Sequence, residues 1–173
     1  MRNPIFFLLV FLCLITHIIR SIYEILKHKK KLVPNKLTFE IIFSNMAVLW
    51  VSWFVLCSAD VYRINLPDFL RYFGLLLFLI GIIIFLTALF TIKTLESYEG
   101  DLISNGIYSK IRHPMYLGFI LWLIGFPIYF GSIFSFILSF LFIANISFWR
   151  HIEEIELEKR FPNYKDYKTK TLF

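Results

Sequence analysis

Five long apolar stretches, at about residues 5–26, 38–59, 69–92, 115–130 and 132–148, divide the chain, and charged residues gather between and after them. A helix needs about 20 apolar residues to cross the hydrocarbon core of a bilayer. The pattern therefore predicts five membrane-spanning helices, the last two near the lower length limit. Gly125, Pro127 and Gly131 punctuate the uncharged junction between those two, which predicts a tight helical hairpin whose backbone is satisfied by pairing inside the protein. The expected fold is an all-α integral membrane protein of about five transmembrane helices with a cytoplasmic helical tail. It forms one domain, residues 1–92 holding the first three spans and residues 93–173 the loop, hairpin and tail.

Composition sharpens the class. Of 173 residues, 58% are hydrophobic and 20% aromatic, and the mean hydropathy of +0.71 lies far outside that of an ordinary soluble domain. Cys13 and Cys57 sit inside apolar runs with no second Cys or His at ligand spacing, so neither a disulfide framework nor a metal site is expected. The net charge of +6 would point a soluble chain toward nucleic acid, but here the cations lie in the loops and set topology instead. Fourteen Lys and Arg fall in the first and third loops and the tail, against only Arg2, Arg63 and Arg71 on the opposite side. With an odd number of spans, this places the amino terminus outside and the tail in the cytoplasm, as in a prokaryotic cell membrane. Arg2 precedes the first apolar stretch as in a signal peptide, yet no small-x-small pattern follows, so that stretch is expected to remain as a span.

With the spans filling most of the chain, chemistry has to come from loops and helix ends. Residues 105–118 read Asn-Gly-Ile-Tyr-Ser-Lys-Ile-Arg-His-Pro-Met-Tyr-Leu-Gly, a polar cluster set against the start of the fourth span. Pro114 suits a first helical position, so the helix would point its free N–H groups and positive dipole end at a ligand such as a carboxylate. Glu153 and Glu154 follow the fifth span. In a helix Glu153 shares a face with Leu157 and Glu154 with Glu158, so one acid of the pair can turn inward. Phe161-Pro162 then breaks the helix, and Tyr164 and Tyr167 lie three apart on a short interfacial helix. Each element alone has a plainer reading: His113 as a helix cap, Arg112 as a headgroup contact, the glutamates as a solvated face, the tyrosines as interfacial anchors. Within the spans, His17, Glu40 and Asn45 are costly in lipid. Glu40 is expected to pair with a loop lysine, and His17, within a turn of Arg20, to snorkel.

Taken in order, Gly106-x-Tyr108, Arg112-His113-Pro114-x-Tyr116-x-Gly118, Glu153-Glu154 and Phe161-Pro162-x-Tyr164-x-x-Tyr167 resemble the signature of the isoprenylcysteine carboxyl methyltransferase family, within the broader superfamily of integral membrane phospholipid and isoprenylcysteine methyltransferases. The resemblance implies an enzyme that takes S-adenosyl-L-methionine as cofactor and methylates a lipophilic acceptor, a prenylated or other lipid molecule, at the cytoplasmic face. It implies cofactor contacts from Tyr108, Arg112, His113, Pro114, Tyr116, Gly118, Glu154, Tyr164 and Tyr167. Arg150, beside His151, approximates the family's arginine before the paired acids and would position a carboxylate acceptor, with Glu153 or Glu154 as a base if the acceptor is an amine. Membrane lipids are expected partners and nucleic acid is not. Rival readings are a phospholipid or small-lipid N-methyltransferase, an NADPH-dependent membrane reductase, and a small membrane scaffold.

Overall fold

The structure, a computed structural model, describes residues 4–92 and 102–173. Arg2 and Lys93, both counted above for topology, lie outside the described residues. Among the described residues the fold is all-helical, 81% helix with no strand. Four helices are long and apolar enough to cross a membrane: α1 (Pro4–His28), α2 (Lys36–Ala59), α3 (Asp68–Ile92) and α5 (Ile133–Arg160). Between the last two lies α4 (Pro114–Phe130), apolar but only 17 residues long, about 25 Å at 1.5 Å per residue against a hydrocarbon core of about 30 Å. A short 3-10 turn (Gly106–Ser109) precedes α4, and a seven-residue helix α6 (Tyr164–Lys170) follows α5.

Helices α3 and α4 run antiparallel and touch backbone to backbone. A Cβ on Gly74 would lie 2.7 Å from the Gly125 carbonyl oxygen, and one on Gly81 2.7 Å from that of Gly118. In lipid no solvent drives apolar helices together, so close approach through small residues and the dispersion it gains have to do so. Two of the sequence expectations change here. Gly125 and Pro127 do not break a turn, since both are buried inside α4. Gly118, expected at the cofactor, is instead the partner of Gly81. The reversal falls at Gly131, whose φ of +66° suits a residue without a side chain, and at Ser132, the N-cap residue before α5.

The core joins α1, α2, α4 and α5 through residues such as Cys13, Leu49, Trp53, Trp122, Phe142 and Trp149. Both cysteines are free and buried. His17 does not snorkel: its ring stacks on Phe142 with centroids 3.9 Å apart, and its Nδ1 lies 3.0 Å from Asn145 Nδ2. Ser21 Oγ lies 2.9 Å from Asn145 Oδ1 and accepts a hydrogen bond from Trp149 Nε1 at 3.0 Å, so a polar seam within the apolar core ties α1 to α5. At the end of the bundle where α2 meets α5, buried Asp60 accepts from the Ser135 backbone N–H and hydroxyl, both at 2.8 Å, and so caps the start of α5.

At 28 residues α5 is longer than a bilayer requires, so its charged final turns continue the span as one helix. This carries Glu153 and Glu154 rigidly beyond the apolar core.

Because the α3–α4 contact leaves no room for a side chain, Gly125→Val is expected to destabilise the bundle by about 1–3 kcal/mol. The check is the thermal unfolding midpoint in detergent, with Leu79→Ala on the exposed side of α3 as a control expected to leave it unchanged.

Candidate functional site

Pro114 occupies the first turn of α4, fixing the backbone where the helix needs no N–H, and His113 sits at the N-cap position with no side-chain capping bond. The His113 side chain is therefore free to point elsewhere, and it is turned toward the end of α5. Its Nδ1 lies 3.7 Å from Glu153 Oε2, and its Nε2, buried and without a hydrogen-bond partner, lies 3.4 Å from Glu154 Oε1.

The two adjacent glutamates part company because consecutive helical residues point about 100° apart. Glu154 and Glu158 both accept from Lys168 Nζ, at 2.8 and 3.1 Å. Those two carboxylates raise the Lys168 pKa, the bond to Glu154 most of all. Glu154 also accepts from Arg112 Nε at 3.3 Å. Arg112 Nη1 donates to the carbonyl oxygens of Lys168, at 2.9 Å, and Thr171, at 2.6 Å. The backbone completes the strap, since Arg112 N–H donates to the Leu172 carbonyl and Leu172 N–H to that of Lys110. Tyr167 closes it with a hydroxyl that donates to the Tyr108 carbonyl at 2.6 Å. The tail is thus folded back over the loop before α4.

Glu153, by contrast, shares its helix face with Glu156, Leu157 and Arg160, and these line a cavity of about 550 Å³. The cavity has two characters. Near α4 and the tail its wall is polar, with Tyr108, Arg112, His113, Glu153, Tyr164 and Tyr167; toward the membrane-spanning part it is apolar, with Phe39, Ile42, Phe43, Met46, Trp50 and Phe119. Burial raises the pKa values of the Tyr108 and Tyr164 hydroxyls well above the usual range, with Glu153 adding to the rise at Tyr108 and Glu154 to that at Tyr164, so both stay protonated and can donate. The Tyr164 hydroxyl is buried with no partner.

Of the sequence-predicted residues, Tyr108, Arg112, His113, Pro114, Tyr116, Glu153, Tyr164 and Tyr167 meet at the cavity. Three do not line it: Gly118 packs on α3, Glu154 is taken up by Arg112 and Lys168, and Arg150 lies over the Phe173 ring with its guanidinium carbon 4.5 Å from the centroid. The apolar wall from α2 was not foreseen, because an apolar residue in a span carries no mark of whether it faces lipid, core or cavity. Arg20 and Lys27 of α1 also reach the wall, both paired with Glu24.

A family model described as NnrU protein matches residues 5–171, which takes in every helix and both halves of the cavity wall. No curated protein and no solved structure matches the chain.

Because Arg112 joins Glu154 to the tail, Arg112→Met is expected to weaken the strap by about 1–3 kcal/mol and so to expose it about tenfold more often. Tryptic cleavage after Lys165, Lys168 and Lys170 should speed up by that factor while the membrane helices stay intact, as read by timed digestion in detergent.

Proposed function

The chain belongs to the NnrU protein family, membrane proteins related to isoprenylcysteine methyltransferase-like proteins, and from that premise we propose that it is an integral membrane S-adenosyl-L-methionine-dependent methyltransferase. It acts on a lipophilic acceptor, with the first and third loops and the tail on the cytoplasmic side. The observation that carries the reading is the amphiphilic cavity: one continuous space walled by an Arg-His-Pro segment and tyrosines at one end and by aromatic and aliphatic residues of α2 and α4 at the other. Its size falls within the roughly 300–1,000 Å³ of small-molecule and cofactor sites.

The residues fit the cofactor. The Tyr164 hydroxyl is buried with no hydrogen-bond partner among the described residues, and buried His113 Nε2 lies 3.4 Å from Glu154 Oε1 without a well-formed hydrogen bond; buried polar groups left so are costly unless a ligand satisfies them. The first N–H groups of α4 have no partner within the helix and carry its positive dipole end, which suits the carboxylate of an amino-acid moiety. The bound sulfonium would supply an electrophilic methyl group. The chain's part is to bind and orient: His113 and the tyrosines grip polar groups, and the α2 wall receives the acceptor's hydrocarbon. The tail strap keeps water from the reacting atoms, since displacement at a methyl carbon gains most from alignment and exclusion of solvent.

A carboxylate acceptor of the isoprenylcysteine kind would need a cation to hold it, and Arg150, expected in that role, stacks on Phe173 instead of lining the cavity.

In detergent, S-adenosyl-L-methionine or its demethylated product is expected to raise the unfolding midpoint, by about 2.7 kcal/mol of stabilisation at a hundredfold excess over Kd, and His113→Ala to abolish most of the gain. A shift with NADPH and none with either methyl-cycle compound would overturn the reading in favour of a reductase.

A further inference from the structure

The charges on the cavity wall are unevenly answered. Arg20 and Lys27 pair with Glu24, Arg112 is held by Glu154 and the tail, and Arg160 lies over the Phe161 ring with its guanidinium carbon 5.1 Å from the centroid. Of the carboxylates, Glu156 has His28 Nδ1 at 3.2 Å. Glu153 meets no cation closer than His113 Nδ1, at 3.7 Å, among the described residues; its neutral partner is the Tyr116 hydroxyl, and its side chain, 45% exposed, is on the cavity wall. Among the described residues, the hydroxyls of Tyr108 from the 3-10 turn, Tyr116 from α4 and Tyr164 from α6 also face Glu153. An anionic group presented to a cavity among aromatic rings attracts a cation and repels a carboxylate.

We infer that Glu153 is the general base of the site and that the acceptor is a lipophilic amine, its hydrocarbon lodged against Phe39, Phe43, Met46 and Trp50 and its ammonium group beside Glu153. This rests on the methyltransferase reading and narrows it. In the step, the ammonium gives a proton to the Glu153 carboxylate. The freed nitrogen lone pair forms the new N–C bond as the C–S bond breaks, and the electron pair of that bond stays on sulfur, which leaves as a neutral thioether. A carboxylate acceptor would need no base and would meet Glu153 as a like charge. Glu154, one residue on, cannot serve, because its oxygens are committed to Arg112 and Lys168.

The test uses the full chain in detergent, hexadecylamine and palmitate as paired probes, and methyl-labelled S-adenosyl-L-methionine. Without cofactor, hexadecylamine should raise the unfolding midpoint of the wild type but not of Glu153→Gln, and palmitate should raise neither. With cofactor, label should enter hexadecylamine in a base-stable product. Glu153→Gln should slow this about 100-fold or more while keeping the cofactor's own thermal shift, and Glu153→Asp should recover part of the rate. Base-labile label in palmitate with none in the amine would overturn the inference, as would full amine methylation by Glu153→Gln. Loss of the cofactor shift in Glu153→Gln would reassign the residue to cofactor binding and overturn it too. Absence of any cofactor shift in the wild type would instead sink the methyltransferase reading on which the inference stands.

Discussion

A carboxylate at the border of a membrane protein has to be neutralised where it stands, and the arrangement of this site follows from how Glu154 meets that demand. Its two oxygens take donors from opposite directions, Arg112 in the loop before α4 and Lys168 in the tail helix α6. Arg112 in turn satisfies the carbonyl oxygens of Lys168 and Thr171. Three segments far apart in sequence are thereby locked together at the end of α5. Such a partly buried network costs desolvation that only complete pairing offsets, so its members act as a unit and remove one another from direct chemistry. The neighbouring Glu153 is instead on the cavity wall, with His113 and the tyrosines around it.

The membrane-spanning part explains why there is a cavity at all. Helices α3 and α4 are joined so closely by Gly74, Gly81, Gly118 and Gly125 that they behave as one thick element. Helices α1 and α5 are joined by the polar seam of His17, Ser21, Asn145 and Trp149. Helix α2 lies between these two pairs, and near its start its large side chains line the cavity instead of filling a tight interface. The shortness of α4 sets its amino end, with Pro114 and His113, level with the overhanging end of α5. Apolar wall, helix terminus and strap therefore meet at one depth, which is what a water-soluble cofactor and a membrane-borne acceptor would both require.

Much of this was legible from residue pattern. The five apolar stretches match four helices long enough to cross a membrane and the shorter α4, to within a few residues at most ends, because hydropathy over 20 residues is a strong constraint in lipid. Pro114 marked the start of α4, and helical geometry separated Glu153 with Leu157 from Glu154 with Glu158. Two kinds of feature escaped. Gly125 in the fourth stretch read as a breaker when it was a packing surface, since its partner on α3, Gly74, is 51 residues away and no local pattern links them. The sequence also did not show that Arg150 stacks on Phe173 or that Arg112, while lining the cavity, holds the tail. A cation's partners depend on where the chain returns, and the return of residues 164–173 is a tertiary fact.

The central claim is that the space between α2, α4, the end of α5 and the tail is where a methyl-donor cofactor binds. Hydrogen–deuterium exchange on the detergent-purified chain, with and without S-adenosyl-L-methionine, tests it segment by segment. Slower exchange at residues 106–116 and 152–171, with no change at residues 60–68 or 131–135, is the result the account predicts. Exchange unaltered at the first two segments, or protection confined to the opposite end of the bundle, would contradict it.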